Sequence, residues 1–278
     1  LANINYLKEA KKGCEFINVG KASSDHLVPQ DQINRIIADK ALEGKIVTRL
    51  KGGDPYVFGR GGEEGELLEA EGIDFEVVPG ITSAIGGLCY AGIPITHRDH
   101  ASSFHVITGH LRKDGKENPD INWNALANMR GTLVFLMGVA NLKNISENLM
   151  REGMAKDTPV AFISWATRYN QSVVTATLEN AYEVAMKEGV KPPTLIVVGT
   201  VVNLREKLNF FENKPLFGKN IMVTRSRSQN SKLVEQIMDL GGNPIEIPTI
   251  KIEKVQDNKE LENEIKNIKD YTYLILTS

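Results

Sequence analysis

RLKGGDPYVFGRGGEE, residues 49–64, packs into one short stretch the marks of an α/β protein with a ligand loop. A β-rich run, KIVTRL (45–50), ends at Leu50 and gives way to two glycines and a tight Asp54-Pro55 turn. Arg60-Gly61-Gly62 then opens a helical pattern whose first turn carries Glu63 and Glu64, favourable against the positive end of a helix dipole. In sheets built from strand–loop–helix units, ligands gather at the carboxyl ends of the strands. Gly52 and Gly53 have no Cβ, so backbone N–H and C=O groups there can approach the polar part of a nucleoside or amino acid. Two glycines alone would mean no more than a turn before a helix. The full string argues for a binding loop.

The same alternation continues on both sides. CEFINVG (14–20), DFEVVPG (74–80), SFHVITG (103–109), TLVFLMG (132–138), PVAFISW (159–165), QSVVTATL (171–178) and TLIVVG (194–199) all read as strands. Helical patterns lie between most of them, the clearest being PQDQINRIIADKALEGK (29–45), with Pro29 suited to a first turn and Gly44 to the stop. The opening LANINYLKEAKKG also reads as an amphipathic helix. Only the short ATRYN link separates PVAFISW from QSVVTATL, which predicts a hairpin and hence a mixed sheet. At ~150 residues per domain, 278 residues make two domains with part of a third. The divisions fall at 1–102, 103–209, a linker at 210–218, and 219–278. The last piece contains IMVTRS, a helix from about Gln229 to Leu240, PIEIPTIKIE and a final strand YTYLILTS, and reads as an unfinished α/β unit.

Composition narrows the function. A net charge of −2 gives no basic stripe of the kind nucleic acid requires. No apolar run reaches the ~18–20 residues of a membrane span, and no signal peptide opens the chain, so a cytoplasmic location is expected. Cys14 and Cys89 read as two separate buried thiols in a reducing compartment. His97, His100, His105 and His110 raise the question of a metal, but His105 and His110 would face opposite sides of a strand, and no metal is expected. No G-x-G-x-x-G opens a helix and no P-loop is present, against a nicotinamide or nucleotide binder.

Taken together, the 49–64 string, NVGKASSDHLVPQDQIN (18–34), VPGITSAIGG (78–87), AGIPITHRD (91–99), HVITGH (105–110) and FLMGV (135–139) resemble the uroporphyrinogen-III C-methyltransferases from residue 1 to about 205. The resemblance implies two α/β domains of the tetrapyrrole methylase type with a cleft between them, plus a partial third α/β domain. It implies S-adenosylmethionine as methyl donor, S-adenosylhomocysteine as product, methylation of uroporphyrinogen III to precorrin-2 through precorrin-1, and a homodimer. The family's cofactor positions fall on Gly52, Gly53, Asp54, Val57, Thr82, Ser83 and Met137, and on Ala166, where members often have glycine. Its proposed proton donor matches Lys21; the partner aspartate precedes the segment matched by Leu1-Ala2, so half of that pair is present and little methyl transfer is expected of the 278 residues alone. A substrate with eight carboxylates calls for cationic or hydrogen-bonding partners, and Arg49, Arg60, His97, Arg98 and His110 are the candidates, with Lys51 and Arg112 nearby. The alternatives are a methylase of a later corrinoid intermediate, or a fragment that binds cofactor without turnover. KNIMVTRSRSQ and YLILTS resemble the opening of uroporphyrinogen-III synthases, where Arg225 and Arg227 are available for propionates.

Overall fold

The computed structural model describes residues 2, 4–20, 28–109, 121–224, 231–249, 253 and 256–276. A short 3-10 helix (Ile4–Glu9) stands where the opening helix was expected. The helices α1 (Gln30–Leu42), α2 (Gly61–Ala70) and α3 (Ser83–Tyr90) follow. Next come β1 (Phe104–Thr108), α4 (Trp123–Asn128), β2 (Thr132–Leu136), α5 (Leu142–Arg151), β3 (Pro159–Ser164), β4 (Ser172–Thr177), α6 (Ala181–Lys187), β5 (Thr194–Val198) and α7 (Arg205–Leu208). The last elements are β6 (Asn220–Val223), α8 (Ser231–Asp239), β7 (Asn243–Glu246) and α9 (Lys259–Lys266).

One five-stranded sheet, in the order β1-β2-β5-β3-β4, organises the chain. The expected hairpin is present: β3 and β4 pair antiparallel from Pro159↔Thr177 to Ser164↔Ser172. β1 and β2 pair parallel, while β5 is antiparallel to both β2 and β3, so the sheet is mixed. Its inner strands β2, β5 and β3 read as largely apolar runs because both faces are covered. On one face Leu133, Phe135, Val160, Phe162, Ile196 and Val198 pack with residues of α4, α5 and α6. The alternate residues Val134, Ala161, Ile163, Leu195 and Val197 pack with Ala84 and Leu88 of α3 on the other. The side-chain period of two along a strand sorts them. A second sheet pairs β6 with β7 in parallel.

Four expected strands are corrected. Residues 14–20, 45–50 and 74–80, and the final 271–276, lie outside both sheets. They are largely exposed, with Ile46 99% exposed and Leu276 84%. β-rich composition disposes a segment to be a strand, but a strand also needs a partner to take its backbone hydrogen bonds. Among the described residues these segments have no ladder partner. The two cysteines are also corrected: both are free and exposed. α3 turns Ala84, Gly87 and Leu88 inward, which leaves Cys89 on its outer face.

Candidate functional site

The 49–64 stretch folds back on itself around one buried carboxylate. Glu64 is 7% exposed. Its Oε2 accepts from Lys51 Nζ at 2.9 Å, and its Oε1 accepts from Arg49 Nε at 3.3 Å and Gln30 Nε2 at 3.0 Å. The start of α2 is thereby fixed to the chain that enters the glycine loop. One residue earlier, Glu63 pairs with Arg60 at 2.5 Å on the surface. The hydrogen-bonded Arg60 guanidinium holds the Glu63 carboxyl below its ordinary range, and Arg60 is raised in turn. These pairs differ in what they leave free. An exposed ion pair is worth ~0–1 kcal/mol, so an external carboxylate could compete with Glu63 for Arg60. Arg49 and Lys51 are committed to Glu64, since an unpaired buried carboxylate is costly.

Next to this knot, two loops meet. Asp54 Oδ1 accepts from Tyr56 N at 2.9 Å, and Asp54 Oδ2 accepts from Gly80 N at 3.0 Å. Those N–H donors, Gly80 first, hold the Asp54 carboxyl below its ordinary value. Gly53 adopts φ +74°, a conformation that suits glycine, and its α-carbon region faces Thr82, whose Cα would lie 3.7 Å from a Cβ there. Thr82 then caps α3, accepting from Ala84 N at 3.4 Å. Gly52, Gly53, Asp54, Val57, Thr82 and Ser83 therefore belong to one continuous lip.

α3 carries that lip onto the sheet. A Cβ on Gly87 would stand 3.2 Å from the Ala166 Cβ, just beyond β3. Met137 lies just beyond β2. β2 and β3 are both antiparallel to the intervening β5, so their carboxyl ends share one edge, two strand spacings or about 10 Å apart. That edge is conformationally strained: Met137, Trp165 and Thr167 have φ of 57°, 50° and 71°. Non-glycine residues in this region cluster at functional sites. Trp165 was not among the residues picked from sequence. It is 39% exposed, with the Arg168 guanidinium 5.3 Å from its ring centroid. An aromatic directly after a strand, beside Ala166, was the available signal.

Of the substrate candidates, His97 accepts at Nδ1 from Asp99 N (3.1 Å) and its ring stands 5.0 Å from that of His100. His100 Nδ1 is 3.1 Å from Thr200 Oγ1. Arg98 is exposed beside them. Lys21, His110, Arg112, Arg225 and Arg227 lie outside the described residues. Among the described residues no group of three or more His, Cys, Asp or Glu is placed to hold a metal ion.

The profile of the Tetrapyrrole (Corrin/Porphyrin) Methylases matches residues 4–182. The chain belongs to the tetrapyrrole methylase family. Beyond the methylase region, the profile of Uroporphyrinogen-III synthase HemD matches residues 231–278. This tetrapyrrole methylase is 45% identical over 278 residues to the Porphyrin biosynthesis protein HemD of Ruminiclostridium josui, covering 100% of the chain and 55% of that protein. It is 42% identical over 270 residues to the Uroporphyrinogen-III C-methyltransferase of Bacillus subtilis, 97% of the chain and 56% of that protein. The methylase chain thus spans about half the length of the curated relatives it matches. Among solved structures, it is similar to the uroporphyrin-III C-methyltransferase of Thermus thermophilus complexed with S-adenyl homocysteine. The TM-score is 0.53 at 38% identity, over 63% of this chain and 75% of that one. A cobalt precorrin-4 methyltransferase shares the fold, with a TM-score of 0.62 at 24% identity over 72% of this chain and 80% of that one. No helix among the described residues is long and apolar enough to cross a membrane.

Proposed function

We propose that this chain binds S-adenosylmethionine at the lip and sheet edge, and that its methylase region methylates uroporphyrinogen III to precorrin-2 through precorrin-1 for siroheme and cobalamin synthesis. The carrying observation is the contact of the 52–54 and 80–83 loops, which α3 links to Ala166 on the sheet edge that also carries Met137, in a chain of this family. The residues present suit such a donor. Val57, Ile81 and Met137 are exposed apolar side chains beside exposed glycine backbone, as an adenosine with one apolar face and a polar rim requires. Gly52, Gly53, Val57, Thr82, Ser83, Met137 and Ala166 would hold it, with Asp54 contributing through the backbone and the fixed shape of the 52–54 loop, and the Thr82 and Ser83 hydroxyls at the start of α3 offering hydrogen bonds to its polar groups. When bound, S-adenosylmethionine supplies an activated methyl group.

The chain's own residues do the rest. Arg60, Arg98 and His97 meet substrate carboxylates, with Arg49 acting through its place beside Glu64. Carbon methylation leaves the substrate one proton to lose, and Lys21 takes part in that proton transfer; a lysine tunes its pKa readily on partial desolvation. The working unit is a homodimer in the cytoplasm, with a tetrapyrrole as its small-molecule partner and neither nucleic acid nor metal required.

Calorimetric titration with S-adenosylhomocysteine tests the donor site: a one-to-one isotherm is expected, and a flat one would remove the reading. Lys21→Met in the full-length protein should lower turnover by ~10²-fold, the usual share of one acid–base group, with unchanged affinity for S-adenosylhomocysteine. Full activity in that variant would take Lys21 out of the mechanism. Light scattering of the same sample should give the mass of two chains; a clean monomer would remove the dimer.

A further inference from the structure

The two loops of the proposed donor site are joined by a carboxylate with both oxygens already engaged. Asp54 Oδ1 takes the Tyr56 N–H and so closes its own turn. Asp54 Oδ2 reaches across 26 positions of sequence to the Gly80 N–H. The backbone is pressed together at the same point: a Cβ on Gly80 would stand 2.2 Å from the Gly53 carbonyl oxygen and 3.0 Å from its carbon. Gly53 in turn lies against Thr82, where α3 begins. Asp54, Gly80, Gly53 and Thr82 thus form one closed contact between the segment that follows Leu50 and the segment that enters α3.

We infer that Asp54 is a positioning residue, a latch that fixes the 80–82 segment to the 52–54 loop before any methyl donor arrives, and that its carboxylate is not itself a ligand for that donor. The inference rests on the reading that this lip holds the donor. Groups fixed in their bound geometry lose less entropy on binding, so the latch contributes affinity without contact. It also explains why position 80 is glycine: any side chain there would separate the two loops at the hydrogen bond. The latch is robust to acid. Donation of two backbone N–H groups stabilises the ionised carboxylate and depresses its folded-state pKa. A depressed carboxylate contributes fully above its unfolded value and is lost as pH falls through its folded value. Affinity should therefore show no Asp54-linked fall between neutrality and the ordinary carboxylate range.

The test uses Asp54→Ala, Asp54→Asn, Gly80→Ala and the Asp54→Ala/Gly80→Ala double variant. Hydrogen exchange at the Gly80 amide is followed in ligand-free protein, and S-adenosylhomocysteine affinity by calorimetry. Asp54→Ala should speed Gly80 exchange without ligand and weaken binding by about tenfold, the worth of one hydrogen bond to a charged group. Asp54→Asn keeps the shape but brings an N–H₂ against one of two N–H donors, so a smaller change in the same direction is expected in both readouts. Gly80→Ala should mimic Asp54→Ala, and the double variant should bind no worse than the weaker single, since both remove one contact. Three results would overturn the latch: Gly80 protection unchanged in Asp54→Ala, affinity unchanged in it, or additive losses in the double variant. A wild-type chain that fails to bind S-adenosylhomocysteine overturns the donor-site reading instead, and the exchange data still judge the contact.

Discussion

Glu63 and Glu64 are neighbours in sequence with opposite fates. Successive helical residues point about 100° apart, so one acid at the start of α2 can face out while the next faces in. Glu63 is exposed against Arg60; Glu64 is buried against Lys51, Arg49 and Gln30. The consequence for stability is direct. Glu64→Ala strands the Lys51 ammonium, whose side chain is 11% exposed, and should destabilise the protein by about 3–5 kcal/mol, the cost of breaking a buried pair. Glu64→Leu with Lys51→Met removes both buried charges, leaves only the more exposed Arg49 to water, and should cost much less. Urea midpoints check this, and equal losses in the two variants would show that the pair is not the source. The sequence pattern identified both glutamates as helix-start acids. It could not say which one is buried, because that depends on α1 and the 49–51 segment closing over α2. Trp165 was missed for a related reason: an aromatic after a strand is a weak signal, since it ordinarily packs inward, and the left-handed backbone that turns this one out is set by the fold.

The elements were legible wherever a segment's own pattern suffices. The apolar runs that became β2, β3 and β5 read as strands from their short length and β-branched content, and the five-residue link before QSVVTATL gave the β3–β4 hairpin. α1 begins right after Pro29 and stops before Gly44 at φ +78°, as the cap residues indicated. The segments at 45–50 and 74–80 carry just as much β-branched and aromatic residue, yet belong to neither sheet. Their composition reports a disposition, and pairing is a property of two segments. Hydrogen exchange should separate the groups: amides of β2 and β5, deep in the five-stranded sheet, should exchange only through global opening, whereas those of 45–50 and 74–79, before the Gly80 amide that Asp54 holds, should exchange through local fluctuation, orders of magnitude faster. Uniform protection across all four would mean that the outer segments are paired in solution.

At the scale of the whole molecule, the expected linker at 210–218 is a packed junction. Tyr90 at the end of α3 meets Phe210 and Phe211 with centroids 5.7 and 4.9 Å away, and Phe211 meets Phe217 at 5.5 Å. Arg205 donates to the Ala91 carbonyl at 2.6 Å and to Glu212 Oε2 at 2.5 Å, while Gln171 donates to the Tyr90 carbonyl at 3.1 Å and to Glu212 Oε1 at 2.8 Å. On the far side the Leu216 amide donates to the Leu240 carbonyl at 2.9 Å, joining the junction to the end of α8. From sequence, FFENKPLFGKN had the Pro, Gly and polar content of a linker. Its three phenylalanines were the contrary signal, since a flexible connector has no use for aromatic area. Phe211 is 7% exposed, and Phe211→Ala removes the ring on which Tyr90, Phe210 and Phe217 converge. A buried Phe→Ala change costs about 3–5 kcal/mol, and here the loss is confined to one joint between α3, the junction and the segment that leads into β6. Limited proteolysis should therefore spare residues 209–217 in the wild-type chain and cut there early in Phe211→Ala, with the five-stranded sheet still folded by circular dichroism. If the wild-type chain is cut first within 209–217, these contacts do not hold in solution.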